Sequence, residues 1–375
     1  MDIIGVIAEY NPFHNGHLYH INKIKELYPD SLIISVISTS FLQRGEISIL
    51  NKWDKTKVCL DNNIDLVIEL PFVFSSQSAD IFAKGALSIL NYLKVDKIIF
   101  GSETNDIDNL TKLAQTQINN KEYDLKVKEY LNLGINYPTA LSKALKDFNL
   151  NIVDTPNDLL GISYIKEILK NNYNIEPISI KRTNDYHSLD TDSEIISATA
   201  IRNLIKDNKD ISNYISKETL KYIYKDIDIF NYLQYKINCD QQLLSTYQTV
   251  DEGIENRLLT YINKSNNFEE LITNIKTKRY TFNKLNRMFI HILTSFTKEE
   301  AKNNNVSYIR VLGFNKNGKS YLNKLKKDIS IPIITSYKNI NDNMLNIEYR
   351  ITCIYSILVN DQSLIKKELE KPIIK

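Results

Sequence analysis

The sequence predicts an α/β protein: a doubly wound parallel sheet followed by a mainly helical, basic C-terminal region. Three observations carry that expectation. Short apolar runs recur through the first hundred residues, helical patterns separate them, and positive charge is concentrated late in the chain. The 375 residues suffice for two or three domains at roughly 150 residues each. A composition 43% hydrophobic and 25% charged, with mean hydropathy −0.29, excludes a mostly disordered, collagen-like or membrane-embedded chain. No apolar run reaches the ~18 residues of a membrane span, and Met1-Asp2 leads into a strand-like run without a basic n-region. A cytoplasmic protein is therefore expected. Cys59, Cys239 and Cys353 are isolated, so neither a disulfide framework nor a CxxC metal site is expected.

The runs at 3–8, 32–37, 65–69 and 97–100 are short, rich in Ile and Val, and apolar on both faces. Strands of a parallel sheet covered by helices read that way. Between them, 16–27, 54–62 and 78–93 read as helices, the last with Ala79, Phe82, Ala83, Ala86, Leu87, Leu90 and Leu93 at i, i+3, i+4 spacing. Strands alternating with helices imply right-handed βαβ units, with ligands at the strands' carboxyl ends. Helical patterns follow at 107–118, 122–133 and 138–148, then one from Pro156-Asn157 to about 170, and a further strand at 175–181. Ser197-Ala198-Thr199-Ala200-Ile201-Arg202 opens a helix, with hydroxyls where caps belong. Beyond 210 come helical segments broken by Asn-rich turns, a strand at 307–312 and a Lys-rich helix at 318–328. The expected division is a catalytic domain over 1–210 and a helical region over 211–375.

Net charge is +2, yet residues 276–327 hold thirteen Lys and Arg against only Glu299 and Glu300, leaving the rest of the chain net acidic. Such asymmetry fits a nucleic-acid-binding module beside a neutral or acidic catalytic one; the alternative is a solubilising face.

The sharpest chemical signal is Glu9-Tyr10-Asn11-Pro12-Phe13-His14-Asn15-Gly16-His17, directly after a strand and directly before a helix. Two imidazoles there can reach phosphates, while Gly16 admits close approach of a nucleotide. Negative charge grows on the phosphoryl oxygens during attack at a phosphorus, and donors placed at a helix N-terminus stabilise it there. His14 and His17 are therefore the candidate catalytic residues. The second element, Ser197, Thr199 and Arg202 at a helix start, makes an anion site suited to a polyphosphate. Trp53 reads as a packing anchor, and Asp80 and Glu103 as possible organisers of Mg²⁺ through water.

These two elements together resemble the nucleotidylyltransferase superfamily, related in fold to class I aminoacyl-tRNA synthetases. Further stretches narrow the resemblance: Gly5 to His17, Phe41-Leu42-Gln43-Arg44-Gly45-Glu46, Asn51-Lys52-Trp53, Glu69-Leu70-Pro71, Gln77 to Ala83, Phe100-Gly101-Ser102-Glu103, Pro156-Asn157 and Arg310-Val311-Leu312-Gly313-Phe314. Together they resemble the bacterial tRNA(Met) cytidine acetate ligase family. The resemblance implies ATP-dependent, AMP-forming acetylation at N4 of the wobble cytidine of elongator tRNA(Met), with acetate as acyl source, acetyl-adenylate as intermediate, pyrophosphate released, and ATP and Mg²⁺ as cofactors. It also implies an ATP site comprising Ile7, Ala8, Glu9, Tyr10, Asn11, Pro12, Phe13, His14, Asn15, Gly16, His17, Leu18, Tyr19 and His20, with Gly101, Asn157 and Arg182.

Arg44, beyond the second strand on the carboxyl side, is expected to face substrate or RNA, and Lys276, Lys278, Arg279 and Arg310 to bind RNA. A small-molecule adenylyltransferase of cofactor metabolism would share the ATP residues and lack the RNA. It would have no need of a basic stretch with Tyr280, Phe282, Tyr308 and Tyr321 interleaved. A catalytically dead RNA-binding module conflicts with the intact His-x-Gly-His.

Overall fold

The structure, a computed structural model, describes residues 1–148, 150–182, 195–225, 227–302, 305–337 and 341–375. Its centre is a parallel sheet of β1 (Ile3–Ala8), β2 (Leu32–Ser38), β3 (Leu66–Leu70), β4 (Lys97–Ser102) and β5 (Glu176–Lys181). Period-two alternation splits these strands between two cores. Ile3, Ile34, Val36 and Ile98 enter the larger core, and Ile4, Val6, Ile33, Ile37 and Ile99 the smaller one on the other face. Both faces are covered, so β2 and β3 are buried along their whole length.

Helices α1 (Asn15–Leu27), α2 (Lys52–Asp61), α3 (Phe72–Ser75) and α4 (Ala79–Tyr92) connect the first four strands. Three helices, α5 (Ile107–Asn119), α6 (Lys121–Asn132) and α7 (Tyr137–Lys146), follow β4; α8 (Pro156–Asn171) then leads into β5, and α9 (Ala198–Lys206) comes after it. The strand order is β5-β4-β1-β2-β3. The chain thus moves outward from β1 in one direction through β2 and β3, and in the other through β4 and β5. The crevice at the carboxyl ends of β1 and β4 is the switch point where such sheets hold ligands. This is the expected doubly wound fold, with boundaries shifted by a residue or two.

Beyond 210 the chain is mainly helical: α10 (Lys217–Leu220), α11 (Phe230–Cys239), α12 (Ile254–Tyr261), α13 (Phe268–Ile275), α14 (Phe282–Leu293), α15 (Lys298–Ala301), α16 (Lys316–Leu325), α17 (Asn343–Leu358) and α18 (Ser363–Glu368). It also returns to the sheet. β6 (Ile309–Phe314) pairs antiparallel with β3, and the two-residue strands β7 (Ile333–Ile334) and β8 (Ile373–Ile374) pair with β6.

At that junction the expectation for Arg310 is overturned. The residue is 6% exposed and lies in a cluster with Lys52, Glu69 and Glu368. Lys52 Nζ stands 2.6 Å from Glu69 and 2.9 Å from Glu368, and Arg310 donates to the Glu368 carboxylate and, at 2.8 Å, to its backbone carbonyl. An arginine buried among two carboxylates has no face for RNA. Tyr280 and Tyr308, expected among the RNA-facing aromatics, are buried as well, whereas Phe282 is 52% exposed.

Candidate active site

The loop leaving β1 folds onto the N-terminus of α1, and His14 is the cap. The Gly16 N–H donates to His14 Nδ1 at 3.0 Å, and the His14 N–H donates to His17 Nδ1 at 3.2 Å. A backbone N–H only donates, so both Nδ1 atoms are unprotonated and each neutral ring carries its proton on Nε2. The two rings lie 3.9 Å apart between centroids. Burial, reinforced by Arg182 and Arg202, lowers His14 to about 3; burial and His14 hold His17 well below its ordinary range; burial and Arg182 lower His20 to about 4. At neutral pH the three imidazoles are therefore neutral groups rather than cations. At Gly16 a Cβ would stand 2.8 Å from the His14 ring and 3.2 Å from Ile195, so glycine is what the packing admits.

The facing wall comes from β4, β5 and α9. Ser197 caps α9 by accepting from the Ala200 N–H at 3.1 Å. Arg202 donates to the Asn11 carbonyl at 2.8 Å and to Thr199 Oγ1 at 3.2 Å, and pairs with Glu46 at 2.7 Å. It thereby ties the β1 loop to the segment after β2. Arg182, at the end of β5, packs beside Gly101, where a Cβ would meet its Cγ at 3.3 Å. Its Nε lies 3.9 Å from Glu103, and Asn157 donates to the same carboxylate at 2.5 Å. Glu103 thus anchors two of the expected nucleotide-binding residues, while Asp80 pairs with Lys166 at 2.7 Å. Among the described residues no group of three or more His, Cys, Asp or Glu is placed to hold a metal ion.

These walls enclose a cavity of about 300 Å³. Ile7, Ala8, Glu9, Tyr10, Asn11, His14, Gly16, His17, Tyr19, His20, Arg44, Gly101, Asn157, Arg182, Ser197, Thr199 and Arg202 all line it. Pro12, Phe13, Asn15 and Leu18 do not. Phe13 packs at a tilt against Tyr10 in the smaller core, and Asn15 donates to the backbone carbonyls of Tyr214 and Asn213, both at 2.9 Å. Asn11 Nδ2 and His20 Nε2 are buried without a hydrogen-bond partner.

Sequence reasoning had not assigned Phe82, Phe100, Tyr164, Lys181 or Ile195 to the cavity; Phe100 and Lys181, at least, sit at strand carboxyl ends, the signal that could have found them. It also missed Lys55. That ammonium is buried and donates to three carbonyls, Glu9 at 2.7 Å, Ser38 at 2.9 Å and Thr39 at 3.1 Å, which clamps the ends of β1 and β2; burial lowers it to about 7. The Glu9 carboxylate accepts the Gln43 N–H at 2.7 Å through Oε1, and burial pushes its pKa up.

The basic residues of 276–279 lie elsewhere on the surface. Lys276, Lys278 and Arg279 are exposed, and the last two line a second cavity of about 350 Å³ with Glu252, Arg257 and Tyr280. Lys276 Nζ sits 4.5 Å above the Phe282 ring. Their stretch runs into α14, which touches the first cavity's wall. Gly45 has φ +75°, and a Cβ there would stand 2.2 Å from the Arg287 backbone nitrogen; Arg287 itself donates to the Gln43 carbonyl at 3.2 Å.

A family model described as HIGH Nucleotidyl Transferase matches residues 1–370. A tRNA(Met) cytidine acetate ligase of Oceanobacillus iheyensis is 39% identical, with 100% of both chains covered. One from a Geobacillus species is 37% identical over 91% of this chain and 90% of its own. A crystal structure of Thermotoga maritima TmcAL bound with alpha-thio ATP superposes with a TM-score of 0.90 at 27% identity, covering 100% of this chain and 99% of that one.

Proposed function

The chain belongs to the HIGH nucleotidyl transferase family and, within it, to the tRNA(Met) cytidine acetate ligases, and on that premise we propose that it activates acetate with ATP and acetylates N4 of the wobble cytidine of elongator tRNA(Met). The observation that carries the chemistry is the cavity in which His14 and His17, neutral, meet Ser197, Thr199, Arg182 and Arg202 across the switch point of the sheet. An acetate oxygen attacks the α-phosphorus, the bond to the β-phosphate bridging oxygen breaks, and pyrophosphate leaves. The imidazole Nε2–H groups and the Asn11 amide are the donors available to the phosphoryl oxygens as charge accumulates. Arg182 and Arg202 neutralise the β- and γ-phosphates. Among the described residues no group of three or more His, Cys, Asp or Glu is placed to hold Mg²⁺; carried in on the nucleotide's phosphates beside Arg182 and Arg202, the ion would add positive charge there.

The cytosine amine then attacks the acetyl carbonyl and AMP leaves. No nucleophilic side chain is required. The base must stand outside a stack, as an anticodon loop allows. In this reading the region over 1–210 carries the chemistry and that over 211–375 recruits RNA through Lys276, Lys278 and Arg279, with Arg44 at the cavity wall between them. Among the described residues no helix is long and apolar enough to cross a membrane, and we place the activity in the cytoplasm, with its tRNA.

The test is mass spectrometry of nucleosides from tRNA incubated with the protein, ATP and labelled acetate. Labelled N4-acetylcytidine is expected. Adenylation of some other small acid with no mark on tRNA would favour the small-molecule adenylyltransferase instead.

A further inference from the structure

Two carboxylates, Glu9 and Glu46, line the cavity among the described residues. Glu46 is engaged with Arg202. Glu9 is held differently: Gln43 fixes one oxygen, Lys55 spends its ammonium on three carbonyls, and Arg44, Glu46 and Tyr164 are the other titratable groups around it. On the functional reading above, this cavity receives a triphosphate and acetate, both anions, and a carboxylate gains nothing by facing either. The third reactant, the exocyclic amine of cytosine, is a neutral donor, and Glu or Asp is the side-chain type that accepts from cytosine N4.

The amine must also lose a proton when it is acylated. His14 and His17 cannot take it, since both Nδ1 atoms are occupied by backbone N–H groups and both Nε2 atoms already carry hydrogen. His20 is held at about 4, whereas burial raises the Glu9 carboxyl above its ordinary 4.5, making it the better base.

We propose that Glu9 accepts a hydrogen bond from the N4 amino group of the target cytidine and takes its proton as the amide forms. The nitrogen lone pair bonds to the acetyl carbonyl carbon, the bond from that carbon to the adenylate oxygen breaks with its electron pair leaving on AMP, and the N4 proton moves to Glu9. Water regains it when product leaves. The residue then discriminates as well as catalyses, because uridine offers a carbonyl at that position and the carboxylate would oppose it.

Glu9→Gln keeps an acceptor for the Gln43 N–H but cannot take a proton. Two rates are measured: acetate-dependent exchange of pyrophosphate with ATP, and single-turnover transfer from preformed acetyl-adenylate to tRNA. Transfer is expected to fall at least ~100-fold further than exchange, the usual scale for a lost general base. A parallel loss of both, or transfer at the wild-type rate, would overturn the proposal. The wild-type transfer rate supplies a measurement independent of any variant. Active Glu9 is ionised, so transfer should fall as pH drops through its raised pKa, and a transfer rate that does not fall between pH 8 and the ordinary carboxyl value of 4.5 would equally sink it. Absence of acetate-dependent exchange in the wild type would instead overturn the functional reading.

Discussion

His14 shows how much one side chain can be asked to do. It ends the loop after β1, starts α1, accepts the Gly16 N–H and leaves Nε2–H for the cavity. Replacing His14 or His17 by Ala should reduce acetate-dependent pyrophosphate exchange about 100-fold or more, the typical loss of a transition-state donor. Near-normal exchange in both would remove them from the chemistry. The same burial has a thermodynamic consequence. An unfolded histidine binds a proton near 6.5 and folded His14 only near 3, so in that interval the unfolded state binds more protons and stability falls as pH drops below 6.5, levelling above it. Melting temperatures from pH 4 to 8 should show that slope, made shallower in His14→Gln.

Among elements, the strands and the amphipathic helices were legible because their apolar period is local: β1 was expected at its observed limits, and β2 to β5 within two residues at either end. β7 and β8 were not expected, since two residues carry no period. The His-x-Gly-His turn was equally readable, being contiguous. Arg310 was misread because neighbouring lysines gave it a basic context, while its partners Glu69 and Glu368 are distant in sequence and only the sheet brings them together. Lys55 escaped for a related reason: its partners are carbonyls, which have no letter in a sequence. At the element scale the sharpest prediction concerns the turn between β2 and α2. Gly45→Ala puts a side chain at positive φ and 2.2 Å from the Arg287 nitrogen, so the turn and α14 must separate. A lower melting temperature together with a loss of tRNA acetylation is expected. An unaltered melt and activity would show that this contact is dispensable.

For the molecule as a whole, β6 makes the sheet common property of both halves. A chain ended at residue 210 would expose the β3 edge and leave Lys52 and Glu69 without Arg310 and Glu368, so loss of a cooperative melt is expected. Within the full chain, Arg310→Met leaves Glu368 and Glu69 short of one cation and should destabilise by about 3–5 kcal/mol, measured by denaturant unfolding. A smaller effect would mean that the cluster reorganises around Lys52. Reversing the charges of Lys276, Lys278 and Arg279 should leave the melt intact while weakening tRNA binding and flattening its log-log salt dependence by about 0.7–0.9 per lost contact. Unchanged binding would make that patch a solubilising face.

The pairing of Arg202 with Glu46 bears on the order in which reactants arrive. An Arg202 drawn to phosphates would loosen its hold on Glu46, and Glu46 adjoins Gly45, which is pressed against α14 within the basic stretch. On the proposed function, such a counterion exchange and one tight backbone contact would link nucleotide occupancy to the side proposed to bind RNA. Thermodynamic reciprocity then requires that whatever factor ATP imposes on the affinity for tRNA, tRNA imposes on the affinity for ATP.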